Sequence, residues 1–322
     1  MISTMHAVRA HRRGGPEQLV HESAPRPEPA DGEVLVAVHA ASITAGELEW
    51  DASWTDSIDG TGRDRTPTIP SHEVSGVVAE VGAGVSDLAV GDEIYGLIPF
   101  TRDGAAAEYV AVPSNVLAAK PTRLDHDRTS AVPLAALTAQ QALVDHAAMR
   151  AGQHVLVHGG AGGVGTFAVQ MAAALGGRVT ATASARDADF VTALGAQRVI
   201  DYRQERFEQL VRDADVVLDL VGGETQNRSW ATLRPGGILV SIVQPPDPET
   251  AAAHDVRAKF FIVEPDRAGL VAIAELIDAG KLAPVVDRVL PLAETRAAYE
   301  ALATEHPRGK IVLHVGSSAN TR

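Results

Sequence analysis

The chain has 322 residues, 45% hydrophobic and 21% charged, which suits two domains with buried cores. Its formal net charge of −13, with lysines and arginines scattered along the sequence, disfavours nucleic acid or an anionic membrane as a partner. It has no cysteine, which excludes disulfides, iron–sulfur clusters, thiolate zinc sites and cysteine nucleophiles.

The first part of the chain, from about residue 5 to 118, has the pattern of short β-strands. Valine alternates with other residues over 33–38, and 74–81 is a second run of this kind. Glycine and proline separate the runs closely, as in antiparallel barrels with tight turns. We therefore predict one compact all-β domain.

After Pro133 the pattern changes to strand, helix and strand, at the spacing of βαβ units with parallel strands. The first predicted helix covers residues 167–175 and ends at Gly176 and Gly177. The predicted strands are 154–157, 178–182, 198–200, 216–219 and 238–242.

The end of the chain returns to β patterns. Predicted strands at 285–290 and 310–315 flank a helix over 294–302, and we expect them to rejoin the first domain. Residues 317–322 are expected to be a short loose tail.

A glycine-rich turn runs from Gly159 to Gly165, directly after a predicted strand and before a predicted helix. Gly160 would permit the tight turn, Gly162 would let a pyrophosphate approach the backbone, and Gly165 would let the helix pack closely. The alternative is a glycine-rich turn without a ligand. The βαβ context favours dinucleotide binding.

The residues after the second predicted strand indicate NADPH. An NAD site would place a carboxylate there for the ribose 2′-hydroxyl, whereas this chain has Ser184 and Arg186, which suit a 2′-phosphate. Asp187 stands at the spacing of a capping box with Ser184, in which it would face the helix N–H groups. A glycine-rich methyltransferase is disfavoured because it would need an acid at position 184.

Eight segments, in this order along the chain, resemble the medium-chain dehydrogenase/reductase superfamily and specifically its zinc-independent quinone oxidoreductase-like branch. They are 70–76, 90–96, 135–139, 159–165, 194–196 with 201–202, 219–223, 233–237 and 308–312.

This resemblance implies an α/β protein with two domains. A GroES-like β-barrel catalytic domain would cover residues 1–120 and be completed by about 265–322. A Rossmann domain with a doubly wound parallel sheet would cover 121–264 and bind NADPH, with nicotinamide and substrate in a cleft between the domains. We also expect a homodimer.

The resemblance also implies contacts with the cofactor, position by position. Those resembling pyrophosphate contacts are Gly162, Gly163 and Val164. Those resembling the 2′-phosphate site are Ser184, Arg186 and Tyr202. Those resembling ribose or nicotinamide contacts are Thr138, Val221, Ile242 and Val243. Those that would close over the cofactor are Phe261, Val263, Arg308 and Lys310. Core packing is the alternative for Tyr202, Ile242 and Val243.

Zinc-dependent relatives hold their metal with a Cys, a His-Glu pair and a further Cys or His. Residues 72–73 preserve the pair, but the other ligand positions fall at 44–45 and 134–135, which are Thr-Ala and Leu-Ala. One histidine cannot hold a catalytic zinc, so we predict no metal and expect His72 to be structural or to face the substrate.

A nicotinamide cofactor without a metal suits hydride transfer to an electrophile polarised by conjugation, such as a quinone, an enone or an enal. Thr44 is the first candidate for hydrogen bonding to the carbonyl oxygen, followed by Tyr95 and Ser42; the alternative for each is an ordinary barrel residue. Glu47 aligns with a carboxylate of the family and is a candidate acid or supporting residue.

The predicted function is thus an NADPH-dependent quinone or α,β-unsaturated carbonyl reductase. An enoyl-thioester reductase of lipid or polyketide metabolism and a non-catalytic NADPH-binding protein remain alternatives. Because no run approaches the roughly 20 apolar residues of a membrane helix and no signal-peptide pattern is present, we expect a cytoplasmic protein with a small-molecule substrate.

Overall fold

The computed structural model describes residues 3–316, so the predicted tail at 317–322 lies outside the described residues. The chain forms two compact units. The β unit comprises Met1–Leu134, Glu264–Asp278 and Pro284–Arg322, and the parallel-sheet unit comprises Ala135–Val263 and Ala279–Ala283.

The first boundary therefore lies at residue 134, later than the predicted 120. The reason is that the intervening residues pack on the strands of the β unit. His126 Nδ1 lies 2.8 Å from Ser75 Oγ, and the Leu134 N–H donates to Glu73 Oε1 over 2.9 Å.

The β unit opens with seven strands and a short helix. The strands are β1 (Thr4–Ala10), β2 (Leu19–Pro25), β3 (Glu33–Ser42), β4 (Glu73–Val81), β5 (Glu93–Leu97), β6 (Tyr109–Pro113) and β7 (Leu117–Ala119). Helix α1 is His126–Ser130, and α2 (Pro133–Gln140) leads into the second unit with a π-helical continuation over Gln141–His146.

The parallel-sheet unit alternates strands with helices. Its elements are β8 (His154–Val157), α3 (Gly163–Ala174), β9 (Arg178–Ala183), α4 (Ala188–Ala193), β10 (Arg198–Asp201), α5 (Phe207–Leu210), β11 (Ala214–Asp219), α6 (Gly223–Ser229), β12 (Leu233–Ser241), α7 (Pro248–Ala253) and β13 (Arg257–Phe260). The β unit then resumes with α8 (Arg267–Asp278), β14 (Val286–Pro291), α9 (Thr295–Thr304) and β15 (Lys310–His314).

The large sheet of the β unit has the strand order β14-β15-β3-β4-β5-β7, with β6 also paired to β3. Its valines point into the core as the alternation predicts, and Val34, Val36 and Val38 are at most 1% exposed. Strand β15 runs antiparallel to β3, with Val312 opposite Ser42. The end of the chain therefore completes this sheet, as predicted.

The second sheet is entirely parallel, in the order β10-β9-β8-β11-β12-β13. All five predicted strands are confirmed, while β13 was missed because Arg-Ala-Lys-Phe lacks apolar alternation. Helix α3 starts at Gly163, earlier than predicted, and Gly176 follows its end with a φ of +81°, as expected for a C-cap glycine. Over residues 3–316 we find no helix with the length and apolarity needed to cross a bilayer.

Candidate active site

A glycine-rich turn joins β8 to α3 in the parallel-sheet unit. Gly159 has a φ of +73°, so the tight turn lies there and not at the predicted Gly160. A Cβ on Gly165 would lie 2.0 Å from the carbonyl oxygen of Gly159, so only glycine lets the helix pack against the turn. A Cβ on Gly162 would meet nothing closer than 3.5 Å, which leaves room for a ligand on that side of the backbone.

Helix α3 begins directly after this turn, with Gly162 as its N-cap. The first N–H groups of a helix, here including those of Gly163 and Val164, have no carbonyl partner within the helix. They carry the positive end of the helix dipole and so attract an anion. The turn therefore fits the pyrophosphate of a dinucleotide, at the residues predicted to contact it.

His158 lies immediately before the turn and is fully buried. Its Nδ1 lies 3.2 Å from Thr182 Oγ1, and its Nε2 lies 2.9 Å from Ser229 Oγ. Burial lowers the pKa of His158 to about 4, against the opposing attraction of Asp219. A neutral imidazole thus anchors the start of the turn to two neighbouring elements, a role that the sequence alone did not indicate.

Because the pKa of His158 is depressed, the unfolded chain binds more protons than the folded one between pH 6.5 and about 4, and stability falls as the pH drops through this range. We expect His158 to account for a loss of roughly 2 kcal/mol in unfolding free energy between pH 7 and pH 5. Urea unfolding at both pH values should show a loss in the wild type that exceeds the loss in His158→Gln by about this amount, because His39, His126 and His154, whose pKa values burial also lowers, contribute equally in both proteins. The exposed His254→Gln is the matched control and should behave as the wild type; equal losses in all three proteins would contradict the assignment.

Ser184 and Arg186 follow β9, at the same edge of the sheet as the glycine turn. Ser184 Oγ donates to Asp187 Oδ2 over 2.6 Å, and no capping hydrogen bond comes from the Ser184 side chain, which corrects the predicted capping box. Arg186 Nε donates to the same oxygen over 3.4 Å, while the Arg186 side chain is 60% exposed. Asp187 therefore holds Ser184 and Arg186, two of the three residues that were predicted to bind a 2′-phosphate.

Tyr202 lies beside them, because β10 pairs with β9 in a register that places Asp201 opposite Ala183. The Tyr202 ring is half exposed, which argues against the alternative of core packing. Arg203 Nε donates to the Tyr202 hydroxyl over 3.3 Å and adds a second guanidinium to this edge. Arg203 was not predicted as a site residue, although it stands next to the predicted tyrosine in the sequence.

Asp219 organises the loop after β11. Its Oδ1 accepts the N–H groups of Val221 and Gly222 at 3.1 and 2.8 Å. Its Oδ2 accepts from Gln226 Nε2 and Ser241 Oγ, each at 3.0 Å. This buried carboxylate ties the ends of β11 and β12 together and was not singled out in the sequence.

The residues predicted to contact ribose or nicotinamide differ in how far their side chains are exposed. Val221 and Val243 are half exposed at the carboxyl ends of β11 and β12, and Ile242 is partly exposed between them, so these ends present an apolar surface. Thr138 is only 2% exposed. Of the residues predicted to close over the cofactor, buried Phe261 packs on the ring of His146 with 4.5 Å between centroids, and Val263 is 9% exposed; their contact with a cofactor stays a prediction.

In the β unit, Thr44 lies directly after β3 and is partly exposed. The pairing of β15 with β3 places Lys310 opposite it, and Lys310 Nζ donates to Thr44 Oγ1 over 2.9 Å. Lys310 Nζ also lies 2.5 Å from Glu73 Oε2, while Thr44 Oγ1 is 3.4 Å from the same oxygen. The predicted donor therefore belongs to a cluster of a hydroxyl, an ammonium and a carboxylate.

Glu47 forms a second, fully buried cluster next to the first. Its Oε1 accepts from Ser71 N and His72 Nδ1, both at 2.7 Å, and its Oε2 accepts from the Tyr299 hydroxyl at 2.8 Å and from Thr44 N at 3.3 Å. Burial alone would raise the pKa of Glu47, but the bonds from His72, Tyr299 and Ser71 keep it below its ordinary value. Glu47 is therefore an ionised support for this region and not a free acid.

Three further predictions need correction. Tyr95 is fully buried and its hydroxyl donates to the carbonyl of Leu270 over 2.6 Å, while buried Ser42 donates to the carbonyl of Ile311 over 3.4 Å. Neither hydroxyl is placed to bind a substrate carbonyl. Lys310 is 5% exposed and bound within the β unit, so its ammonium does not close over a cofactor.

Arg308 was also predicted to close over the cofactor. It precedes β15 and is exposed, and its backbone N–H donates to Asp287 Oδ1 over 3.2 Å. Its contact with a cofactor stays a prediction.

Comparison with known proteins agrees with this architecture. The family model of the alcohol dehydrogenase GroES-like domain matches residues 30–122, and that of zinc-binding dehydrogenases matches residues 194–313. A protein of Arthroderma benhamiae named "probable zinc-binding oxidoreductase, mitochondrial" is 33% identical, over 92% of this chain and 93% of its own length. The chain belongs to the medium-chain dehydrogenase/reductase superfamily, in its zinc-independent quinone oxidoreductase-like branch.

Two further members of the superfamily are similar over most of this chain. The NADPH-dependent alkenal/one oxidoreductase of Arabidopsis thaliana chloroplasts is 33% identical, over 89% of this chain and 73% of its own length. The solved structure of the quinone oxidoreductase from Coxiella burnetii is 31% identical and matches with a TM-score of 0.88, over 97% of this chain and all of that one. The β unit is thus the GroES-like domain of the superfamily and the parallel-sheet unit its Rossmann domain.

Although some superfamily members bind zinc, the residues of this chain do not fit that metal. Both ring nitrogens of His72 are engaged, Nδ1 by Glu47 and Nε2 by the carbonyl of Arg102 at 3.2 Å. Each ring nitrogen of His72 thus already faces a protein oxygen, which leaves neither of them open to a metal. Among residues 3–316, no three His, Asp or Glu side chains are grouped to hold a metal ion.

Proposed function

We propose that the chain is an NADPH-dependent reductase of quinones or α,β-unsaturated carbonyl compounds that works without a metal. The names of the alkenal/one oxidoreductase and the quinone oxidoreductase among its relatives support this reaction class. In this proposal the Rossmann domain binds the cofactor, and the GroES-like domain supplies the polar group that receives the substrate carbonyl.

The observation that carries the proposal is the arrangement at Thr44. A partly exposed hydroxyl stands in the 44–45 segment, where a ligand position of zinc-dependent relatives falls, and Lys310 Nζ donates to it at 2.9 Å. Because Lys310 occupies an acceptor site of Thr44 Oγ1, and the Thr44 hydroxyl donates to Glu73 Oε2 only over a long 3.4 Å, this proton can turn to a substrate oxygen. Such a donor stabilises an enolate or a hydroquinone anion as charge develops on that oxygen.

Bound NADPH would supply a hydride to the conjugated system of the substrate. The residues of this chain bind the cofactor, orient the substrate and polarise its carbonyl group. Thr44 donates to the carbonyl oxygen, and Glu73 and Lys310 fix the position of the Thr44 hydroxyl. Nearby, the Trp50 ring packs edge-on against Phe100 with 5.0 Å between centroids, giving an apolar surface of the kind that a planar substrate requires.

The choice of NADPH over NADH rests on Ser184 and Arg186. We expect Arg186→Ala to raise the Kd for NADPH about 10- to 100-fold, because a charge-assisted hydrogen bond to the 2′-phosphate is lost. The Kd for NADH should change less than about twofold. The matched control is Arg178→Ala, since Arg178 is exposed at the opposite end of β9. Titration of cofactor fluorescence measures all four constants, and equal weakening of both cofactors would show that Arg186 does not contact the phosphate.

The function is tested by following NADPH and NADH absorbance with a quinone, an enone, an enal and a simple ketone. We expect NADPH oxidation with the conjugated substrates and little with the ketone. Turnover of only the ketone, or only with NADH, would contradict the proposal. A cytoplasmic location and a homodimer remain predictions.

A further inference from the structure

Lys310 is a buried lysine with a short path to the protein surface. Its side chain is 6% exposed and that of Glu73 is 1% exposed, while Thr44 is partly exposed. Lys310 Nζ lies 2.5 Å from Glu73 Oε2 and 2.9 Å from Thr44 Oγ1. Thr44 therefore contacts the buried Lys310 ammonium and is itself accessible to a molecule that binds at this end of β3.

The direction of these hydrogen bonds is fixed by chemistry. An ammonium can only donate, so Thr44 Oγ1 accepts from Lys310. The hydroxyl proton of Thr44 then points to Glu73 Oε2, over a long distance of 3.4 Å, or outward. An oxygen of a substrate that binds at Thr44 can take this proton more favourably than Glu73 does, because a bond of 3.4 Å is weak.

We propose that Lys310 is the proton source for the reduction, acting through the hydroxyl of Thr44. This inference rests on the proposed reductase function and extends it by naming the origin of the proton. Glu73 holds the Lys310 ammonium in place, so it is a positioning residue.

The step balances as a two-electron, two-proton reduction. Bound NADPH would supply a hydride, and with it two electrons, to the conjugated system of the substrate, which leaves negative charge on the carbonyl oxygen. The Oγ1–H bond of Thr44 breaks as the substrate O–H bond forms, and Thr44 Oγ1 takes a proton from Lys310, whose N–H electron pair stays on Nζ. The products are NADP⁺ and the hydroquinone, or an enol that tautomerises to the saturated carbonyl. Water then returns a proton to Lys310 by way of Thr44.

The charged surroundings of Lys310 suit this cycle. Glu73 faces it from β4, and Glu47 lies beyond Thr44, whose N–H is 3.3 Å from Glu47 Oε2. Burial raises the pKa of Glu73, although Lys310 opposes this effect. Glu73 and Glu47 are thus the acidic side chains next to the Lys310–Thr44 pair.

Because the chain has no cysteine, a cysteine introduced at position 310 is the only thiol that can be modified. Lys310→Cys can be alkylated with 2-bromoethylamine, which rebuilds a lysine-like side chain whose ammonium is more acidic than that of lysine. The matched control is Lys281→Cys, at an exposed position of the Rossmann domain, treated in the same way. Thermal melting and the Kd for NADPH report whether each protein is folded and binds its cofactor.

We expect unmodified Lys310→Cys to lose about 10²- to 10⁴-fold in kcat with a quinone or an enone, and aminoethylation to restore most of it. The alkaline limb of the kcat profile of the restored enzyme should move to lower pH, whereas that of the Lys281 control should match the wild type. Thr44→Val should show the same loss, and Thr44→Ser should retain activity.

The possible results distinguish a wrong proton path through Lys310 and Thr44 from a wrong reductase function. If the wild type turns over the conjugated substrates but the restored enzyme has an unshifted profile, Lys310 has only a structural role and the proton path is wrong. A wild-type kcat in unmodified Lys310→Cys would also overturn the proposed proton path. If Lys310→Cys does not fold, the double variant Lys310→Met with Glu73→Gln removes the unpaired charge, and a wild-type kcat in that protein would overturn the proposal. Absence of wild-type turnover contradicts the reductase function, and the proton path with it.

Discussion

Alanine at Gly165 should destabilise the Rossmann domain and abolish NADPH binding, whereas alanine at Gly162 should weaken binding and leave the fold intact. The added Cβ at position 165 would lie 2.0 Å from the carbonyl oxygen of Gly159, which is far inside van der Waals contact with backbone. Helix α3 must then move away from the turn, at a cost of about 1 to 3 kcal/mol or more. The displaced helix no longer presents its first N–H groups to the pyrophosphate.

The Gly162→Ala substitution tests ligand binding separately from the stability of the fold. Its backbone has a φ of −78° and a ψ of 176°, which alanine adopts freely, and the added Cβ meets only Gly159 O at 3.5 Å. The methyl group instead occupies the side from which the pyrophosphate would approach, and we expect the Kd for NADPH to rise at least about tenfold.

Differential scanning fluorimetry and titration with NADPH distinguish the two effects. A Gly165→Ala protein with wild-type Tm and Kd would mean that the turn and helix pack differently. A Gly162→Ala protein with wild-type Kd would place the pyrophosphate elsewhere.

The local structure of the glycine-rich turn and of the segment after β9 could be largely predicted from sequence because its signals are local. The turn, the strand before it and the helix after it are contiguous, and Ser184 and Arg186 follow the next strand. The details required three dimensions: the positive φ lies at Gly159, one residue before the expected position. The hydrogen bond of Ser184 to Asp187 also depends on rotamers that a spacing pattern does not fix.

The substrate half was predicted less well because its partners are distant in sequence. Thr44 and Lys310 are 266 residues apart, and Glu47 and Tyr299 are 252 apart. The pairing of β15 with β3 brings the first pair together, and helix α9 carries Tyr299 to Glu47. Tyr95 shows the opposite error: a hydroxyl is a candidate donor by residue type, and the fold commits it to the carbonyl of Leu270.

Removal of the Glu47 carboxylate should destabilise the GroES-like domain more than any surface substitution. Glu47 and His72 are each 1% exposed in their side chains, and the carboxylate also accepts from Ser71 and Tyr299. In Glu47→Ala the buried His72 side chain loses its hydrogen-bond partner, and three other donors lose an acceptor. Breaking a buried pair in this way costs about 3 to 5 kcal/mol, and we expect Tm to fall by roughly 10 °C.

The measurement is urea unfolding followed by tryptophan fluorescence, with exposed Glu49→Ala as the control, which should stay within about 0.5 kcal/mol of the wild type. The pH dependence adds a second criterion. Because the pKa of Glu47 is held below its ordinary value of 4.5, its stabilisation is fully present above pH 4.5 and is lost as the pH falls further. The difference between wild type and Glu47→Gln should therefore narrow below that pH. A difference that is small at pH 7, or that stays constant into acid, would show that the ionised Glu47 carboxylate does not stabilise this domain.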